Sequence, residues 1–216
     1  MRKTTICITM VTVMTFSLLP LDAFARTYKS IVAFGDSLTD NGNLKGLQPN
    51  DYPRDIPITF TDGDTWVQYL ANMLDATLDN HAYGSAMTYG CGKNNNNNTN
   101  VTNIPGRDPI FANIGLIGQV KTYIEGKPIF TPSETLFTIW IGANDFLGFA
   151  EGVLKAKDGT PIVPADPNNP NDVKFAAGQA IRSAMVNIST AIKDLHRVSA
   201  VNIIIMNLPN LGWDIS

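Results

Sequence analysis

Hydrophobic positions in this chain form short apolar runs separated by segments with helical spacing. Ile31-Val32-Ala33-Phe34 is an apolar run that ends at Gly35 and predicts a first strand. Val67, Leu70, Ala71 and Leu74 recur at i, i+3, i+4 and i+7, which predicts an amphipathic helix with Asp64 as its cap. Ala76 to Ala82 predicts a weak second strand. Ile114 to Glu125 predicts a helix, with Gly115 and Gly118 counting against it. Leu136-Phe137-Thr138-Ile139-Trp140-Ile141 predicts a buried strand ending at Gly142. From Asp172 a long helix carries Ile181, Met185, Ile188, Ile192 and Leu195 on one face. Val201 to Met206 predicts a fourth strand, followed by Asn207-Leu208-Pro209. Apolar strands alternating with amphipathic helices predict a parallel sheet covered on both faces, a three-layer α/β/α domain.

The segments outside this alternation have their own character. Arg2 and Lys3 precede a mostly apolar stretch, Thr4 to Leu21, which is too short and broken for a membrane span. Ala23-Phe24-Ala25 is a small-x-small cleavage site. Residues 1–25 are therefore expected to be a signal peptide cleaved after Ala25, with an uncleaved anchor as the competing reading. The expected destination is the periplasm or the exterior. Residues 26–216 are expected to form one domain with a sizeable core. Asn94 to Asn98, continuing through Thr102, is too polar to bury, so residues 90–107 are expected to be a surface loop. Lys157 to Asn171, rich in Pro, Asn and Asp, is expected to be a second loop.

Charge and cysteine content narrow the classes of function. Of 16 basic and 19 acidic residues, Arg2, Lys3 and Asp22 lie in the leader, which leaves 14 and 18, a net charge of −4. This gives no electrostatic case for nucleic acid as a partner. Cys7 lies in the leader, so Cys91 has no internal partner and no disulfide framework is expected.

Ligands of open parallel sheets bind beyond the carboxyl ends of the strands. After the first strand come Gly35-Asp36-Ser37-Leu38-Thr39-Asp40-Asn41-Gly42-Asn43. After the second come Gly84-Ser85-Ala86, and after the third Gly142-Ala143-Asn144-Asp145. Each pairs a glycine with a small polar group, and all three are expected at one edge. The set suits acyl transfer: a serine hydroxyl on a tight turn attacks an ester carbonyl. Ser37 N–H, the N–H of Gly84 or Ser85, and the Asn144 amide are candidate donors to the resulting oxyanion.

These segments carry a resemblance. Phe34 to Asn43 resembles the first motif of the GDSL (SGNH) lipase and esterase family. Ile141-Gly142-Ala143-Asn144-Asp145-Phe146 resembles its Gly-x-Asn-Asp motif. Asn80-His81-Ala82-Tyr83-Gly84-Ser85-Ala86 resembles its Asn-x-Ala-x-Gly-Gly-Ala motif, and Asn207 to Gly212 a further family segment. The resemblance implies a flavodoxin-like sheet and ester hydrolysis through an acyl-serine intermediate. It implies Ser37 as nucleophile, Asn144 as oxyanion amide, and no cofactor. The family's glycine donor falls on Ser85, and Gly84 beside it is the alternative. Among exported members the resemblance implies lipid substrates of the lysophospholipase or phospholipase A type, with membrane lipids among them. Acyl transfer and polysaccharide deacetylation are variants.

One part of the family pattern has no counterpart. The family's acid and base form an Asp-x-x-His motif, and no aspartate in this sequence has a histidine three residues later. The chain is accordingly read as C-terminally truncated, without the family's last strand and C-terminal helix. The rival reading is an inactive scaffold that binds lipid or glycan. His196 ends the long helix and is expected at the edge opposite Ser37. His81 lies nearer, and could act as base only by an arrangement foreign to the family. Asp36, Asp40 and Asp145 could together suggest a magnesium site, but the family motifs account for the same residues and no metal is expected. Trp66, Trp140 and Trp213 are read as core or near-core aromatics.

Overall fold

The structure is a computed structural model, described over residues 27–47, 59–90 and 113–208. The leader, Cys91, the asparagine-rich loop, Trp213 and the segment from Pro209 onward lie outside the described residues. Four strands are arranged β2-β1-β3-β4: β1 (Ser30–Gly35), β2 (Thr77–Asn80), β3 (Thr135–Trp140) and β4 (Ile203–Ile205). Every pairing is parallel. The helices are α1 (Asn43–Gly46), α2 (Trp66–Leu74), α3 (Leu116–Glu125), α4 (Ala143–Ala150) and α5 (Pro170–Arg197). The expected α/β architecture is the observed one.

Strand alternation sorts the core into two layers. Ile31, Ala33 and Leu136 face α2 and meet Val67 and Ala71. Val32, Phe34, Phe137 and Ile139 face the other way, against Leu116, Val120 and Tyr123 of α3 and Ala191 and Leu195 of α5. Both faces of β1 and β3 are therefore covered, which is why these two strands read as continuous apolar runs. The short edge strands β2 and β4 carry only half-buried and exposed residues.

Several boundaries differ from expectation, each for a local reason. The cap of α2 is Thr65 rather than Asp64. Gln68 Oε1 accepts the Thr65 N–H at 2.8 Å and its hydroxyl at 2.9 Å, a reciprocal box that fixes the first turn. Helix α5 starts at Pro170 rather than Asp172, because Asn169 Oδ1 accepts the Asn171 N–H at 3.0 Å and proline suits the first helical position. Gly118 is no weakness in α3: a Cβ there would lie 2.2 Å from the Asn113 carbonyl oxygen, so the helix start is packed against its own backbone.

The buried stripe of α5 is also not the one its large side chains suggest. Ala176, Ala180, Asn187, Ala191 and Leu195 are buried, whereas Ile181 and Met185 are 58% and 65% exposed. The small residues let the helix approach the sheet and α3. Ile181 and Met185 line an apolar cavity of about 480 Å³ that α5 shares with α4 and the end of β4.

Candidate active site

Strand β1 delivers Ser37 to the carboxyl edge of the sheet. Gly35, its last residue, pairs with Trp140, the last residue of β3. The chain then turns, with Thr39 and Asp40 N–H donating to the Asp36 carbonyl at 3.0 and 2.9 Å. The turn is tight: a Cβ on Gly35 would lie 2.6 Å from the Trp140 carbonyl oxygen and 2.8 Å from Thr39 Oγ1. Buried Gln119 of α3 clamps this point from below. Its Oε1 accepts Gly35 N–H at 3.0 Å, and its Nε2 donates to Gly35 O at 2.8 Å and Ile114 O at 2.6 Å. Ser37 is half-buried at the top of the turn, and Leu38 beside it is exposed.

Asp40 ties this turn to the loop after β2. Its buried carboxylate accepts four backbone N–H groups: Gly42 and Asn43 on one oxygen at 2.8 and 2.7 Å, Leu44 and Gly84 on the other at 3.2 and 2.7 Å. Asn43 Nδ2 donates to Asn80 O and Ala82 O, and Asn80 Nδ2 donates to Thr39 O. Asp40 therefore serves as an organising acceptor, with both oxygens occupied by amide hydrogens.

That arrangement separates Gly84 from Ser85. The Gly84 N–H is spent on Asp40. The Ser85 N–H has no backbone partner among the described residues. Ser85 stands at φ +64°, in the left-handed region that favours glycine. The exposed residue at the family's glycine position thus adopts a glycine-like backbone.

Asn144 sits in the first turn of α4, four residues beyond the end of β3, and donates from Nδ2 to Ala86 O at 2.8 Å. The next residue, Asp145, is buried. It accepts Thr88 N–H at 2.8 Å and the Thr88 hydroxyl at 2.5 Å. Asn187 of α5 donates in turn to Thr88 Oγ1 at 3.1 Å. Burial raises the Asp145 carboxyl to about 6, against the pull of the Thr88 hydrogen bonds. Asp36 is raised to about 6 as well, by burial first and by the Asp145 charge in addition. One Asp36 oxygen takes the Leu38 N–H at 3.1 Å, and the other is buried without a partner among the described residues.

Ser37 and Ser85, on the loops after β1 and β2, and Asn144, in the first turn of α4, are thus knitted together at one edge. The histidines do not join them. His81 stacks on Phe34, with centroids 5.5 Å apart, and meets the edge of Tyr123 at 5.1 Å. Its Nε2 lies 2.9 Å from an Asp79 oxygen, off the line of a hydrogen bond. His196 is exposed in the last turn of α5, ahead of β4 and so at the opposite edge. Gln119, Thr88 and Asn187 are in none of the motifs, yet they hold the site together. Gln119 had a signal, a polar residue on the apolar stripe Leu116, Val120, Tyr123. Thr88 and Asn187 had none.

A family model described as GDSL-like lipase/acylhydrolase matches residues 31–214, and the chain belongs to that family. Three relatives are similar over parts of their length. A thermolabile hemolysin of Vibrio parahaemolyticus is 29% identical over 59% of this chain and 28% of its own. A phosphatidylcholine-sterol acyltransferase of Aeromonas hydrophila is 27% identical over 88% and 46%. A GDSL esterase/lipase of Arabidopsis thaliana is 30% identical over 64% and 44%. The chain spans less than half the length of each of these relatives.

Proposed function

We propose that this protein is an exported serine ester hydrolase that cleaves lipid esters of the lysophospholipid or phospholipid type. The observation that carries the reading is the convergence of Ser37, the Ser85 N–H, without a partner among the described residues, and the Asn144 amide at the carboxyl edge of β1 and β3. Ser37 Oγ attacks the ester carbonyl carbon. The tetrahedral oxyanion takes hydrogen bonds from Ser85 N–H, from the Asn144 amide hydrogen not held by Ala86, and from Ser37 N–H. Gly84 is assigned no donor role, because its N–H belongs to Asp40. The bond to the alcohol then breaks, the alcohol leaves with a proton, and water cleaves the acyl-serine to release the acid. The lipid preference rests on exposed Leu38, Phe146 and Leu147 beside Ser37 and Asn144. It agrees with relatives whose names include a hemolysin and a phosphatidylcholine-sterol acyltransferase.

An alkyl fluorophosphonate tests the nucleophile: peptide mapping should find the label on Ser37, and Ser37→Ala should abolish it. Label on another residue would overturn the assignment. Lysophosphatidylcholine offered beside an acetylated xylan tests the substrate class, and preference for the xylan would reverse it. Export is tested by sequencing the mature N-terminus, expected at Arg26. Met1 retained in the exported form would refute the leader.

A further inference from the structure

Two consecutive residues of α4 reach across to alternate residues of the loop after β2. Asn144 holds Ala86 through its carbonyl, and Asp145 holds Thr88 through both N–H and hydroxyl. Ser85 immediately precedes the first of these anchors. The second is braced from a third element, since Thr88 Oγ1 gives its hydrogen to Asp145 and accepts one from Asn187 of α5. All three side chains in this relay are buried. We propose that Thr88, Asp145 and Asn187 are positioning residues that fix the Ser85 N–H and the Asn144 amide relative to each other. The inference rests on the reading of Ser85 and Asn144 as oxyanion donors, and it adds residues that none of the motifs contains, Thr88 and Asn187.

The physical case is one of relative placement. The two donors come from different elements, the loop after β2 and the first turn of α4, and donors help only when they sit 2.7–3.1 Å from the position of the oxyanion. One link, Asn144 to Ala86, leaves the loop and the helix free to pivot about it. A second link two residues along the loop and one along the helix removes that freedom. The Thr88 hydroxyl is central because it both donates and accepts. Replacing it with a methyl leaves an Asp145 oxygen and an Asn187 N–H unpaired while preserving side-chain volume.

The test is a double-mutant cycle in the protein at its full natural length, with Thr88→Val and Asn144→Ala made singly and together. Thr88→Val should lower kcat about tenfold with KM changed by less than about twofold, because the loss falls on the transition state. Thr88→Ser, which keeps the hydroxyl, should restore most of kcat. In the Asn144→Ala background Thr88→Val should cost little more, since one donor of the pair is already gone. Equal losses in both backgrounds, or an unchanged kcat in Thr88→Val, would overturn the inference. If Thr88→Val fails to fold, Asn187→Leu, which removes only the outer brace, enters the same cycle. Where turnover is too slow to follow, the rate of phosphonylation of Ser37 serves as the readout. A normal kcat in Asn144→Ala itself would instead refute the underlying site, and so separates the two failures.

Discussion

Ser85 holds φ +64°, where a Cβ costs ~1–2 kcal/mol, part of which glycine gives back by its greater freedom in the unfolded chain. Ser85→Gly should therefore stabilise the protein by about 0.5–1 kcal/mol, read as a higher urea midpoint. A loss of stability would show that the serine side chain makes a contribution of its own. Asp36 makes a second residue-scale prediction. Its carboxyl is raised from 3.8 to about 6 by burial, so the native state keeps a proton that the unfolded chain has lost. The sign follows: this group favours the native state at low pH, and that benefit declines as pH rises from about 4 to about 6 and is gone above. Asp36→Asn should thus be more stable than the parent at pH 8, by on the order of 2 kcal/mol, with the gap narrowing at pH 4. A gap that widens on acidification would place the cause elsewhere than in buried charge. At this scale the placement of Ser37 and Asn144 just beyond the ends of β1 and β3 was legible, because each lies in a run of consecutive motif residues. It was not legible for Thr88 and Asn187, which lie 99 positions apart and meet only through folding. That the Gly84 N–H is already taken also needed coordinates, because its acceptor is Asp40, 44 residues earlier.

Among the elements, β1, α2, α3, β3 and α5 could be read from periodicity because each buries one face or two. Helix α4 was not foreseen. Its Asn144 and Asp145 read as loop chemistry, and only Gly148 joins Asp145 in burial. The exposed Ile181 and Met185 of α5 show the limit of reading a stripe by size alone, since the alanines occupy the tight interface. The junction of α3 with β1 yields a prediction that runs against simple hydrophobicity. Gln119 lies on a buried apolar stripe, where leucine would ordinarily stabilise. Yet its amide satisfies Gly35 N–H and the Ile114 carbonyl, and shares Gly35 O with the Tyr83 N–H. Gln119→Leu would strand buried backbone groups at ~1–3 kcal/mol each. Chemical denaturation should show a loss of at least about 2 kcal/mol. A neutral or stabilising result would mean that water reaches the end of β1.

At the scale of the whole molecule, the question is where the proton of Ser37 can go. The sheet register sets the geometry. Ser37 follows Gly35, which pairs with the last residue of β3, whereas β4 begins opposite Phe137, in the first half of that strand. His196 precedes β4 in the last turn of α5, nine residues beyond Asn187, which at ~1.5 Å per residue places it about 14 Å further along the helix and toward the opposite edge. His81 lies closer, but its ring is occupied by Phe34, Tyr123 and Asp79. A serine hydroxyl without a neighbouring base is a weak nucleophile, and the remaining donors sustain only ~10³–10⁴ over the uncatalysed rate. The polypeptide of residues 26–216 should therefore turn over a short-chain nitrophenyl ester far below the ~10 s⁻¹ of an ordinary enzyme, by at least about a thousandfold. Ser37→Ala should remove what activity there is, while His81→Ala should leave it unchanged. Turnover near 1 s⁻¹ that both substitutions abolish would refute the argument. It would identify His81 as the base, reached by a rotation away from Phe34, and the same crossing of variants against pH would then report its titration.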